Sequence, residues 1–277
     1  MGASTLLKRV LTASILIPSV IAAVLFLPTS YLAICFALIA LLGGWEWTNL
    51  SGFLSNSSRA LFILILAAGL WATYLLLDQP WFADWLFYLS TAWWLVITYV
   101  LSRYTRIEPA TPGPDLIRAA MGLVVLMPLW AALVVLHRSG DDGPIVVLFL
   151  MIMIWVADSG AYFAGSRWGS RKLAPLISPG KSWEGVYGAV AGAFICGILL
   201  AWYRSNDVGA LWLVPVCVIT VLVSVVGDLF ESLLKRRVAM KDSGNLLPGH
   251  GGVLDRIDSL TAAAPVFLVG LQLTSGL

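Results

Sequence analysis

Nine apolar stretches, at 10–28, 31–50, 60–77, 83–101, 119–136, 145–164, 186–203, 211–234 and 259–276, divide this chain of 277 residues from end to end. Each approaches the ~20 residues that a helix needs to cross the ~30 Å hydrocarbon layer of a bilayer. Inside lipid every backbone N–H and C=O must be bonded within the protein, so such segments have to be helical. The pattern predicts an all-α fold, a polytopic membrane bundle of about nine transmembrane helices. Composition agrees: 60% of residues are apolar, 12% are charged, and the mean hydropathy is +0.90. Those values exceed what a soluble core of this length requires. The 13 Trp and eight Tyr suit the membrane–water interfaces as well as ordinary packing.

Lys8 and Arg9 precede the first stretch in the manner of a signal peptide. The apolar run is long for such a peptide and no A-x-A site follows it, so a retained helix is expected. Cys35, Cys196 and Cys217 all lie in apolar runs without a CxxC pair or a His neighbour, and read as small buried hydrophobes. A net charge of +2 gives no reason to expect nucleic acid.

The placement of charge says more than its sum. With the N-terminus in the cytoplasm, the loops 51–59, 102–118, 165–185 and 235–258 fall on that side, and the C-terminus lies outside. All of the 17 Lys and Arg residues except Arg138 and Arg204 are then cytoplasmic, as the positive-inside rule requires. Asn56-Ser-Ser58 fits the glycosylation pattern but sits in one of these inner loops, which removes it from consideration. His137 falls on the opposite side and reads as a loop residue. No linker or soluble domain interrupts the series, so residues 1–277 form a single domain. Its chemistry is expected in the half from about 155 to 277.

Acidic residues within spans are costly, roughly 2.5–3.5 kcal/mol for Asp at mid-helix, and face a partner, a metal or a watery cavity. Asp158 lies in Trp155-Val-Ala-Asp-Ser-Gly-Ala-Tyr162 and Asp228 in Val225-Val-Gly-Asp-Leu-Phe-Glu-Ser232. Asp228, Glu231, Ser232 and Lys235 follow i, i+3, i+4, i+7 spacing and share one helical face. At about 1.5 Å per residue, Asp228 is on the order of 10 Å from the cytoplasmic end, so a polar stripe runs from the cytoplasm into the membrane. Glu46, flanked by Trp45 and Trp47, reads as an interfacial residue.

From Lys235, where the stripe ends, follow four basic residues (Lys235, Arg236, Arg237 and Lys241), then His250, a glycine-rich turn, and Asp255-x-x-Asp258. Carboxylates at that spacing can address one hard cation, since Mg²⁺ takes one or two protein carboxylates together with substrate phosphates. Glycines let backbone amides approach a phosphate closely. The other polar loop, Arg167 to Gly185, contains Gly180-Lys181-Ser182, but Pro175 occupies the first P-loop glycine position and no soluble strand–helix unit surrounds it. Gly249-His-Gly251 likewise fails as a dinucleotide fingerprint, because Leu254 stands where the last glycine should be. A basic, hydroxyl-bearing loop suited to polyphosphate remains. The small-residue spacings Gly160/Ala164 and Gly188/Gly192 are expected to allow close helix packing.

Ser232-x-Leu234-Lys235-Arg236, Lys241-Asp242 and Pro248-x-His250-Gly251-Gly252-x-x-Asp255-Arg256-x-Asp258 together resemble the signature of the phosphatidate cytidylyltransferases, also called CDP-diacylglycerol synthases. The resemblance holds without departure over these 27 positions. It extends to Asp158-Ser-Gly-Ala-Tyr162, to Ser178-Pro-Gly-Lys-Ser-Trp-Glu-Gly185 and to Lys8-Arg9-Val-Leu-Thr12. It implies a multi-helical bundle, a homodimer, and Mg²⁺-dependent conversion of CTP and phosphatidate to CDP-diacylglycerol and pyrophosphate at a cytoplasm-facing site. It maps Asp228 and Asp255 onto metal-binding positions, with room for a second cation. It groups Asp258 and Lys241 with them as catalytic. Lys172, Ser178, Lys181, Ser182, Ser232, Lys235, Arg236, His250 and Arg256 become the substrate-binding set. The expected location is a bacterial inner membrane.

The residues suit that reaction on their own terms. By analogy with phosphoserine, a phosphate monoester has a second pKa near ~6 and is already anionic at pH ~7. No general base is then needed, only cations to bring two anions together and to stabilise the leaving pyrophosphate. A secondary transporter or channel using intramembrane Asp residues is the main alternative. It predicts acids near mid-membrane and related halves, whereas here the charges cluster at one face and no internal repeat is evident. A membrane scaffold would not need Asp255-x-x-Asp258 beside His250-Gly-Gly.

Overall fold

The computed structural model describes residues 3–204, 209–247, 249 and 251–275. His250, one of the expected substrate-binding residues, and Pro248, a position of the signature, lie outside the described residues. Among those described, nine α-helices follow in order: α1 (Ala3–Phe26), α2 (Thr29–Leu50), α3 (Asn56–Leu76), α4 (Pro80–Ser102), α5 (Leu116–Arg138), α6 (Gly143–Trp168), α7 (Trp183–Tyr203), α8 (Leu213–Arg237) and α9 (Leu254–Ser275). Eight are long and apolar enough to cross a membrane; the described apolar part of α1, Ser14–Phe26, is shorter. A short antiparallel hairpin, β1 (Lys172–Ala174) and β2 (Ser178–Ser182), joins α6 to α7.

Local chemistry sets the helix starts. Ser55 Oγ accepts from Ser58 N at α3, Asp115 Oδ1 from Arg118 N at α5, and Ser182 Oγ from Gly185 N at α7. Each satisfies an amide that the first turn leaves without an intrahelical partner. Pro80 opens α4, where its missing N–H costs nothing. Asp115 also pairs with the Arg118 guanidinium at 2.7 Å, and these contacts, the backbone amide of Arg118 foremost, hold its carboxyl below the usual range.

The helices α6, α7, α8 and α9 pack as one unit; α5 joins it through α9 to α2 and α3, and α4 packs directly on α8 and α9. Of the most apolar stretches, 67% of residues are buried in α5 and 61% in α9, against 22% in α3 and in α4. Two helices therefore form the axis, while the outer faces of α3 and α4 are left for lipid. The small-residue spacings act as expected: at the α6–α7 crossing, a Cβ on Gly160 would lie 2.6 Å from Gly188 O, and one on Gly188 2.7 Å from Ala164 Cβ.

Long-range bonds show that successive helices run up and down. On one face Asp115 N donates to Ser51 O (2.9 Å), Ala110 N to Arg237 O (2.8 Å), and Arg236 Nε to Ile177 O (3.3 Å). The four loops expected on one side therefore do meet. On the other face Arg138 pairs with Asp78 (2.7 Å) and Tyr203 OH donates to Asp142 Oδ1 (3.0 Å). His137 is not the loop residue that its place in the sequence suggests. It is in the last turn of α5, buried, with Thr29 Oγ1 2.8 Å from Nδ1 and Val24 O 2.9 Å from Nε2. A ring with two polar edges can tie down a helix connection that apolar packing would leave unsatisfied.

Candidate active site

A cavity of about 300 Å³ opens between α6, α7 and α8 under the hairpin. Its polar wall consists of Asp158, Lys181, Ser182, Ser224, Asp228 and Ser259, and glycines, aliphatic side chains and Tyr162 line the rest. Pairing of Lys172 with Ser182 in the hairpin brings Lys181 over the cavity, and Ile177 at the turn packs against Leu229 and Leu233 of α8. Glu184 fixes the hairpin's base by accepting from Ser170 Oγ (2.9 Å) and from the amides of Ser170 (3.2 Å) and Arg171.

Lys181 Nζ meets Asp228 Oδ2 at 2.5 Å, and Ser232 Oγ donates to Asp228 Oδ1 at 3.2 Å. Asp228 is in electrostatic range of both Asp158 on α6 and Asp258 on α9, and Arg256 is in range of Asp158. With side chains 26% and 29% exposed, Lys181 and Asp228 remain reachable from the cavity.

A second assembly lies one turn further along α8. Lys235 Nζ is 2.6 Å from Asp255 Oδ1 and 3.0 Å from Glu231 Oε1. Asp255 Oδ2 accepts from Ser243 N (3.0 Å) and Gly252 N (2.8 Å). Both Asp255 oxygens are thus taken by the protein itself. Gly251 adopts φ +81°, and a Cβ there would sit 2.9 Å from Asp255 Oδ2, so glycine is required twice over. Glu231 is 2% exposed, and although Lys235 neutralises it, neither of its oxygens accepts a hydrogen bond. The 3.0 Å ion pair is off the direction that a hydrogen bond needs.

Glu46 is a correction. The flanking tryptophans suggest an interfacial residue, but it is 2% exposed and points into the protein. Its Oε1 accepts from Val253 N (3.0 Å), and its Oε2 from Leu254 N (2.8 Å) and Ser243 Oγ (3.0 Å). A buried carboxylate is costly unless it is paired or hydrogen-bonded, and here a loop some 200 residues away supplies the hydrogen bonds. The signal available in the sequence is a lone acidic residue at a helix end next to two tryptophans.

The remaining expected residues divide. Ser182 is buried as the α7 cap, Arg236 donates to Ile177 O and to Met240 O (both 3.3 Å), and Ser178 sits in β2. Lys172 and Lys241 are exposed, and neither forms an ion pair with a described residue.

A profile of the cytidylyltransferase family matches residues 7–274. The chain is similar to the phosphatidate cytidylyltransferase of Pseudomonas aeruginosa, with 41% identity over 261 residues and 94% of each chain covered. It is also similar to that of Haemophilus influenzae, with 35% identity over 279 residues, covering 94% of this chain and 96% of the relative. A relative in Brucella suis carrying the same name shares 48% identity over 128 residues, 45% of this chain and 47% of its own. On this footing the chain is a member of the cytidylyltransferase family.

Proposed function

We propose that the protein transfers the cytidylyl group of CTP to phosphatidate, giving CDP-diacylglycerol and pyrophosphate for phospholipid synthesis. The observation that carries this is Lys181 and Asp228 at an open cavity within the membrane-spanning half, in a chain whose full-length relatives bear the name phosphatidate cytidylyltransferase. In the reaction a phosphatidate oxygen forms a bond to the α-phosphorus of CTP, while the bond from that phosphorus to the β-phosphate's bridging oxygen breaks and pyrophosphate departs. The attacking phosphate is already ionised, so the residues have charge to manage and no proton to remove. Lys181, with its single described ion pair, is the cation free to exchange a carboxylate for a phosphate. Arg256, exposed and in electrostatic range of Asp158, is a second cation that can meet a phosphate. The aliphatic part of the cavity suits the lipid substrate.

Mg²⁺ is part of the proposal. Five carboxylates (Asp158, Asp228, Glu231, Asp255 and Asp258) gather around three cations, Lys181, Lys235 and Arg256, an excess of acid that a metal cation would offset. Mg²⁺ takes few protein carboxylates and draws much of its coordination from substrate phosphates and water. Asp228, 29% exposed at the cavity, would hold it, with Asp258 as the second acid, because Asp255 is 7% exposed and held by Lys235 and two amides. Such an ion supplies charge stabilisation to the transferring phosphoryl group. The cytoplasmic orientation of the site rests on the Lys and Arg bias, and the homodimer on resemblance. A bacterial inner membrane fits the bacterial relatives.

Purified protein mixed with phosphatidate and CTP should release pyrophosphate with equal CDP-diacylglycerol. Release of CMP instead would point to a transferase that consumes CDP-lipid, and release of neither would defeat the proposal.

A further inference from the structure

Glu46 takes no direct part in this reaction and belongs to the other half of the molecule. Its three hydrogen bonds fall on two kinds of target. Val253 N and Leu254 N are amides at the start of α9, which no intrahelical carbonyl satisfies, and a negative charge there also complements the helix dipole. Ser243 Oγ is the third, and Ser243 is shared: its amide donates to Asp255 Oδ2. One serine therefore bridges two carboxylates, and Asp255 in turn holds Lys235 at 2.6 Å. The loop closes tightly on the carboxylate. A Cβ on Gly244 would collide with Glu46 Oε1, and one on Gly252 with Oε2. Asn49, one turn along α2, adds a long bond from Nδ2 to Ser243 O at 3.4 Å.

We propose that Glu46 is a positioning residue for cytidylyl transfer, setting Ser243, Gly244, Gly252 and the start of α9 so that Asp255 and Lys235 hold the alignment the reacting phosphates need. The inference rests on the cytidylyl-transfer reading above. Glu46 touches no reacting group, and acts through Ser243 and through the first amides of α9. A carboxylate is required because it meets three donors and offers none. An amide in its place would turn an NH₂ group towards at least one N–H or O–H, leaving a buried donor unsatisfied.

The test uses the full-length protein in detergent with Glu46→Gln, Ser243→Ala and the double variant, rates being taken per folded, monodisperse enzyme. Glu46→Gln should lower kcat about 10- to 100-fold, the scale of a misplacement near 1 Å, with KM for CTP and phosphatidate within about twofold. Hydrogen exchange should rise over 241–254 while α2 and α5 keep their protection. Ser243→Ala should lower kcat about fivefold or more, and the double variant should be little worse than Glu46→Gln, since both break one clamp. Wild-type kcat in folded Glu46→Gln overturns the proposal, as do multiplicative effects in the double variant. Exchange spreading through α2 and α5 also overturns it, because the residue would then serve general packing. If Glu46→Gln does not fold, Ser243→Ala decides alone, and an unchanged kcat there is fatal. Failure of the wild-type protein to release pyrophosphate would instead sink the reaction, and the exchange arm would still report on the clamp.

Discussion

Two assemblies of acid and base stand within one turn of each other on α8, and they differ in what they are free to do. At the cavity, Lys181 and Asp228 form one ion pair with side chains 26% and 29% exposed. At the loop, Lys235, Glu231 and Asp255 are 9%, 3% and 7% exposed, and Asp255 has its acceptor sites filled by Lys235 and by the Ser243 and Gly252 amides. The residue types are nearly the same. Solvent decides the difference: an exposed pair is worth little and exchanges partners readily, whereas a buried pair is costly to break because the survivor has nowhere to go. The first assembly is suited to receiving a substrate phosphate, the second to keeping the site in shape.

The sharpest way to break this comparison is to remove the lysine from each. Lys235→Met should leave Glu231 and Asp255 buried with no cation against them and destabilise the protein by about 3–5 kcal/mol. Lys181→Met should change stability by less than about 1 kcal/mol while still lowering turnover. Thermal unfolding in detergent reads both, and equal losses would mean that the two assemblies are alike. Next in size is Asp228→Asn, which keeps the volume and removes the charge at the cavity. A rate loss of roughly a hundredfold, equivalent to about 2.7 kcal/mol of barrier, is expected with little change in unfolding temperature. Near-wild-type turnover would take Asp228 out of the site. The smallest effect sharpens the second assembly. Gly251→Ala meets both a left-handed φ of +81° and the Asp255 carboxylate, and should destabilise by about 1–3 kcal/mol. Its activity loss should track that of Ser243→Ala. Full stability in Gly251→Ala would show that the turn tolerates a different shape.

Much of this architecture is legible in the amino-acid sequence. The stripe Asp228, Glu231, Ser232 and Lys235 does share one face of α8, since helical spacing is a property of consecutive residues. The small-residue spacings mark the α6–α7 crossing. Glu46 and Asp255 are harder to read. Apolar neighbours make Glu46 look interfacial, because nothing within a helical turn of it says that Ser243, Val253 and Leu254 arrive from the far end of the chain. Asp255 and Asp258 share i, i+3 spacing, yet α9 packs so that one meets Lys235 and the other comes into range of Asp228. The hairpin at 172–182 reads only as a loop, for its strands are three and five residues long and depend on Ile177 docking against α8.

The sequence by itself determined that this chain is a bundle of membrane helices, where its helices run, which loops carry the basic charge, and which family it resembles. Those properties are set by requirements that act along the chain: the thickness of the hydrocarbon layer, the need to bond every amide within it, and the period of the helix. Only the tertiary structure decided which carboxylate meets which cation and which of them water can reach. That choice depends on how α2, α8 and α9 lie against one another. The strength of each ion pair changes severalfold between the cavity wall and the protein interior, which the spacing of residues along the chain does not reveal.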